Sequence, residues 1–136
     1  MAHPLLFKLV EVSMKVAIPI FGPRVSPRFD YAPGLLLFDL EDGRVVGSEK
    51  FSLQAWDRFQ RLQKLRELGV KTLICGGIDG NSAQILSDYG IRVIAWVAGE
   101  ADEAMRCFLQ GKLRPGVEVC PRCRRRGRGG RRFRWE

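Results

Sequence analysis

Histidine is almost missing from this chain of 136 residues: the only one, His3, lies ahead of the first clean apolar strand. Without it the body of the chain has no imidazole base and no histidine-dependent triad. No apolar run approaches the length that spans a bilayer. Residues 5–10 are weakly apolar, but Lys8 and Glu11 interrupt them. They bring neither a basic leader nor a small-residue cleavage site, so a secretory signal is not expected. Cysteines are few: Cys75, Cys107, Cys120 and Cys123. In a chain expected to stay cytoplasmic they read as reduced thiols or metal ligands rather than a disulfide framework.

Acidic residues are scarce at one end only. Residues 114–136 hold nine arginines against Glu118 and Glu136, so +7 of the net charge of +8 sits there and residues 1–113 carry +1. The body is close to neutral and the tail is a polycation. The length suits one core plus a tail. Met14 opens the first strand and reads as an alternative start, which makes 1–13 an N-terminal extension. The expected division is 1–13, a domain at 14–113, and a disordered basic Cys/Arg/Gly-rich tail at 114–136.

Residues 16–21 (VAIPIF) are an apolar run too short for a helix and read as a buried strand. Residues 22–33 hold three prolines and are expected to be irregular. Residues 35–40 and 44–51 flank Glu41-Asp42-Gly43, which reads as a hairpin turn. Phe59, Leu62, Leu65 and Leu68 then predict an amphipathic helix closed by Gly69. A strand at 70–75 and the loop Gly76-Gly77-Ile78-Asp79-Gly80 follow, with Asp79 positioned to cap a helix reaching Tyr89. Residues 91–97 read as a fifth strand. Ala101, Ala104, Met105 and Phe108 mark a last helix, with Glu100, Asp102 and Glu103 in its first turn. Right-handed crossovers convert this order into an α/β sheet of order 3-2-1-4-5, strand two antiparallel, with helices on both faces.

In such a sheet a ligand crevice opens where chain paths diverge at the carboxyl ends of neighbouring parallel strands. That places it between residues 22–33 and 76–80, close to Ala98-Gly99. Arg24 and Arg28 supply cations there. Gly76, Gly77 and Gly80 are expected to leave backbone N–H groups open beside a helix N-terminus, an arrangement suited to anions. Each loop alone also fits a solvated or tight-turn role. The loop matches neither phosphate-binding fingerprint, so a nucleotide is a poor fit. The order resembles that of ribonuclease H, but residues 16–21 lack the carboxylate its metal site needs. Asp30, Asp39 and Asp79 read as turn, strand-end and cap residues. An enzyme is not expected.

Three stretches, Met14-Lys15-Val16-Ala17-Ile18-Pro19, Val25-Ser26-Pro27-Arg28-Phe29-Asp30-Tyr31-Ala32-Pro33 and Leu37-Phe38-Asp39-Leu40-Glu41-Asp42-Gly43, look like the dinitrogenase iron–molybdenum cofactor biosynthesis family. Gly76-Gly77-Ile78, residues 86–93 (LSDYGIRV) and Glu103-Ala104 through Gly111-Lys112-Leu113 continue the pattern. The resemblance covers 14–113 and rests on order and spacing rather than one motif. It implies a three-layer, ribonuclease-H-like fold without nuclease activity. It also implies a NifX- or NifB-C-terminal-like carrier that binds a preformed anionic iron– or molybdenum–sulfur cluster and exchanges it with cluster-handling proteins. Some members are thought to use a cleft histidine or cysteine. Here Cys75 is the nearest such residue, and it also reads as a buried strand residue, as Cys107 reads as helix packing.

Beyond the resemblance, Cys120-Pro121-Arg122-Cys123 has the spacing of half a zinc or iron–sulfur site. One pair does not close a structural zinc centre, though two copies of the chain would. Residues 124–135 (RRRGRGGRRFRW) combine arginine with two aromatics. That composition suits weak polyanion or nucleic-acid contact, an acidic partner, or simple solvation. A nucleic-acid- or acidic-partner-binding accessory role through the tail is the alternative to the carrier.

Overall fold

A computed structural model describes residues 13–119. The N-terminal extension to residue 12, with His3, and the tail from Cys120 onward, with Cys123 and the arginine run, lie outside the described residues. The chain runs β1 (Ser13–Phe21), β2 (Arg24–Val25), β3 (Gly34–Glu41), β4 (Arg44–Ser52), α1 (Arg58–Glu67), β5 (Thr72–Ile74), α2 (Gly80–Asp88), β6 (Arg92–Ile94), β7 (Ala98–Gly99), α3 (Ala101–Leu109) and β8 (Glu118–Val119).

The main sheet has the order β4-β3-β1-β5-β6, with β2 paired to β1 off that path. β3 runs antiparallel to both β1 and β4, while β1, β5 and β6 are parallel. Because side chains alternate along a strand, β1 feeds two cores. Val16, Ile18 and Ile20 pack with Ala101, Ala104 and Met105 of α3. Ala17 packs on the other face with Leu62 and Leu65 of α1 and Leu86 of α2. Asp42 and Gly43 both take positive φ, 54° and 76°, which is the turn that matches the twist of a two-residue hairpin.

Four features depart from the sequence reading. Residues 22–33 are not wholly irregular: β2 folds back on β1, with Ile20 opposite Val25 and Phe21 opposite Arg24. The strand expected over 91–97 stops at Ile94, because Trp96 turns into the left-handed region at φ 61°. Residues 114–119, assigned to the tail, belong to the fold; β8 pairs in parallel with β7, and Val119 is buried among Val97, Met105 and Leu113. Finally, Phe59 is 60% exposed rather than part of the buried helix face. A strict three-residue repeat drifts by about 60° per step around a helix of 3.6 residues per turn, so Phe59 and Leu68 fall on opposite arcs. The buried face of α1 is Arg61, Leu62 and Leu65.

Candidate functional site

β1 and β5 are parallel neighbours whose exits diverge, one into residues 22–33 and the other into residues 76–80. Their backbones are tied across the gap. Gly77 N–H donates to Pro27 O at 2.7 Å and Phe29 N–H donates to Gly77 O at 2.8 Å. Gly76 lies flat against the same loop: a Cβ there would stand 2.3 Å from Ser26 O, so no other residue fits without moving the loop.

Beside this seam is a cavity of about 410 Å³. Phe21, Arg24, Val25 and Pro27 form one wall, Gly76 and Gly77 the floor, and Trp96, Val97, Ala98 and Gly99 the other wall. The volume is that of a small-ligand pocket. Arg24 is the charged side chain on the lining. Its backbone is held at the cavity by a bridge to Glu100, next to the bond from Ala101 N–H to Pro23 O at 2.9 Å. The lining offers a guanidinium, an indole and a phenyl ring. Among the described residues it contains no carboxylate, thiol or imidazole.

Of the five candidate residues on the two loops, Arg24, Gly76 and Gly77 line the cavity. Arg28 does not. Its guanidinium faces Asp30 at 3.6 Å and lies 5.8 Å from the Tyr31 ring, so it balances the buried Asp30 Oδ1, which has no hydrogen bond. Gly80 does not line it either; it is the exposed first residue of α2. The expectation of open donors needs correction at Gly77. Gly77 spends its N–H on Pro27, and the N-terminus of α2 already carries an anion, Asp79. Asp79 accepts from Ser82 Oγ at 2.7 Å and Ser82 N at 2.9 Å, with Arg58 Nη1 at 3.4 Å. The hydrogen bonds from the Ser82 hydroxyl and backbone, assisted by the Arg58 charge, hold its carboxyl below the usual range.

Cys75, beneath the floor, is fully buried. Burial pushes its thiol up to about 12, which disfavours the thiolate form that reactivity or metal binding needs. No cluster of metal-ligating side chains occurs among the described residues. Cys120 and Cys123 lie outside them.

Sequence reasoning missed Phe21 and Trp96, which are 63% and 60% exposed at the cavity. Both were absorbed into strands. Their position at the carboxyl ends of β1 and β6, where the crevice was expected, is the signal that singles them out. Also missed was Arg61, which fixes the first loop from behind. It donates to Phe29 O (2.9 Å), Ala32 O (2.8 Å), Leu53 O (3.0 Å) and Trp56 O (3.1 Å).

Comparison with known proteins adds the following. A family profile described as dinitrogenase iron-molybdenum cofactor matches residues 13–111. The chain is 26% identical over 112 residues to the protein MJ0580 of Methanocaldococcus jannaschii, covering 78% of this chain and 95% of that one. Among solved structures, PH0822 superposes with a TM-score of 0.70 at 24% identity, over 75% of this chain and 94% of that one. The apo form of the orange protein from Desulfovibrio gigas superposes at 0.65 and 23% identity, over 74% and 90%. These two likenesses show a shared fold.

Proposed function

The chain belongs to the dinitrogenase iron-molybdenum cofactor family, and on that premise we propose that its cavity receives an anionic metal–sulfur cluster as cargo. The observation that carries this is the make-up of the 410 Å³ cavity: among the described residues, one guanidinium, Arg24, stands amid aromatic, aliphatic and glycine surfaces, with no acidic lining. A metal sulfide is large, polarisable and negatively charged. It needs a cation for charge and soft, close-fitting walls for contact. Gly76 and Gly77 let the backbone form the floor, and Trp96 presents an indole from the far side. The described lining residues provide no general base or nucleophile, so the role they support is to bind and pass on the cargo to cluster-handling proteins, not to transform it. On this reading the sheet and its two helical layers are a ribonuclease-H-like scaffold turned to carrying.

Anaerobic titration with tetrathiomolybdate, a molybdenum sulfide dianion with a visible absorption band, tests the proposal. The wild-type chain retains the chromophore through desalting. Arg24→Glu, on an exposed residue whose backbone pairing is kept, lowers affinity about tenfold or more, because it replaces attraction by repulsion at the mouth. Equal retention by the two proteins counts against the cavity as the site.

A further inference from the structure

Two large aromatic side chains stand in solvent at one opening: Phe21 is 63% and Trp96 60% exposed, and both line the cavity. Neither is loosely held. Phe21 pairs with Arg24 across the turn between β1 and β2, and residues directly opposite in an antiparallel pair project from the same face. The ring and the guanidinium therefore emerge side by side, on a turn fixed by the bond from Ala101 N–H to Pro23 O at 2.9 Å. Across the opening, Trp96 N–H donates to Gly76 O at 3.0 Å. Its six-membered ring rests over Gly77, where a Cβ would stand 3.0 Å from it. Aromatics beside an arginine are the side chains that anchor protein interfaces, and a rigid mounting lowers what association costs in ordering.

The charge at this opening is incomplete for the cargo. Arg24 is the one cation on the lining among the described residues, and Arg28 is engaged by Asp30 at 3.6 Å. A metal sulfide such as tetrathiomolybdate is a dianion, and taking it out of water against a single cation leaves half its charge uncompensated. We propose that a second copy of this chain closes the cavity mouth to mouth, with one anionic cargo between the two Arg24 guanidiniums. The inference rests on the cavity reading above and names the partner of that same site. A two-fold axis in the plane of the mouth that exchanges its walls sets each Phe21 against the partner's Trp96, so that the two copies cover one another's rings. It also brings two cations to one dianion. Without the anion the same geometry opposes two like charges, so the cargo is what holds the pair together.

Anaerobic sedimentation velocity of the full-length reduced chain, with and without tetrathiomolybdate and read in the protein and chromophore bands, tests this. The chain alone is expected to sediment as the 15.4 kDa monomer. With the anion, a species of twice that mass is expected, holding one anion per two chains. Phe21→Ser, at an exposed position, should weaken the dimer about tenfold or more. Phe21→Arg places a second cation beside Arg24 within one copy, and should hold the anion as a one-to-one monomer. A one-to-one monomeric complex of the unaltered chain overturns the second copy, whether the tail or solvent completes the charge, and leaves the cavity reading standing. A dimer that forms without the anion, or that Phe21→Ser does not weaken, overturns the cargo-bridged mouth. If the unaltered chain retains no chromophore, the cavity reading fails and this inference fails with it.

Discussion

Arg61 shows how one side chain positions a site it never touches. Its guanidinium is buried, and burial lowers its pKa, with the Asp30 charge opposing; an arginine nevertheless remains charged. What compensates it is four backbone carbonyls, two of them in the loop that walls the cavity. Lysine cannot reproduce the planar fork. We therefore expect Arg61→Lys to cost about 3 kcal/mol, since it strands buried carbonyls that were bonded to a cation, as a shift in the urea midpoint at unchanged m-value. Trp96 presents the opposite case. It holds a left-handed backbone at φ 61° while its indole stands mostly in solvent against Gly77. A strained conformation with so little burial points to a role in the site. Trp96→Gly relieves the backbone and removes the indole, so stability should stay within about 1 kcal/mol of wild type, while tetrathiomolybdate affinity falls. A large stability loss with unchanged affinity would make Trp96 a structural residue only.

At the scale of elements, the features that were legible in the sequence are those with a local code. The Asp42-Gly43 turn, the Asp79 cap and the left-handed glycines after each helix, Gly69, Gly90 and Gly111, are fixed by a few neighbouring residues. The crevice position followed from topology, and with it Arg24, Gly76 and Gly77. Pairings only two residues long escaped, because β2, β7 and β8 are too short to show a period and exist through partners distant in sequence. One donor expected to be open on the glycine loop escaped for the same reason: only the fold reveals that Pro27 takes the Gly77 N–H. Two tests belong here. Ending the chain at Leu113 removes β8 and the buried Val119 side chain, so it should cost about 2–3 kcal/mol, whereas ending it at Val119 should not; thermal melts of the two truncations check this. Asp79→Ala should cost about 1 kcal/mol at pH 7 by loss of the cap. Because Asp79 has a lowered pKa in the fold, its contribution is complete above the unfolded value of about 3.9 and is lost as pH falls through the lowered one. The gap between variant and wild type should therefore close in acid, measured by urea unfolding at pH 7 and below pH 4.

For the whole molecule, the charge distribution separates two kinds of binding. The +8 total is almost all in the tail, and residues 124–136 alone hold seven arginines against Glu136. The cavity, by contrast, is lined by one cation among the described residues, Arg24, and sits in a body of net +1. An arginine-rich segment binds any polyanion by counterion release, and the logarithm of affinity falls with the logarithm of salt in proportion to the phosphates neutralised. Seven arginines cap that slope at about −5 for a single strand. A chain ended at Cys123 keeps the cavity and both cysteines of the tail pair but loses these arginines. It should bind single-stranded RNA at least tenfold more weakly at low salt, with a flattened salt dependence, and retain tetrathiomolybdate as the full chain does. Fluorescence anisotropy with a labelled oligonucleotide, run beside the chromophore titration, reads both. If the shortened chain loses tetrathiomolybdate as well, the arginine run is part of the cargo site and the cavity reading is too narrow. If it keeps RNA affinity at physiological salt, the near-neutral body must carry a nucleic-acid surface, and the tail is not the source of that binding.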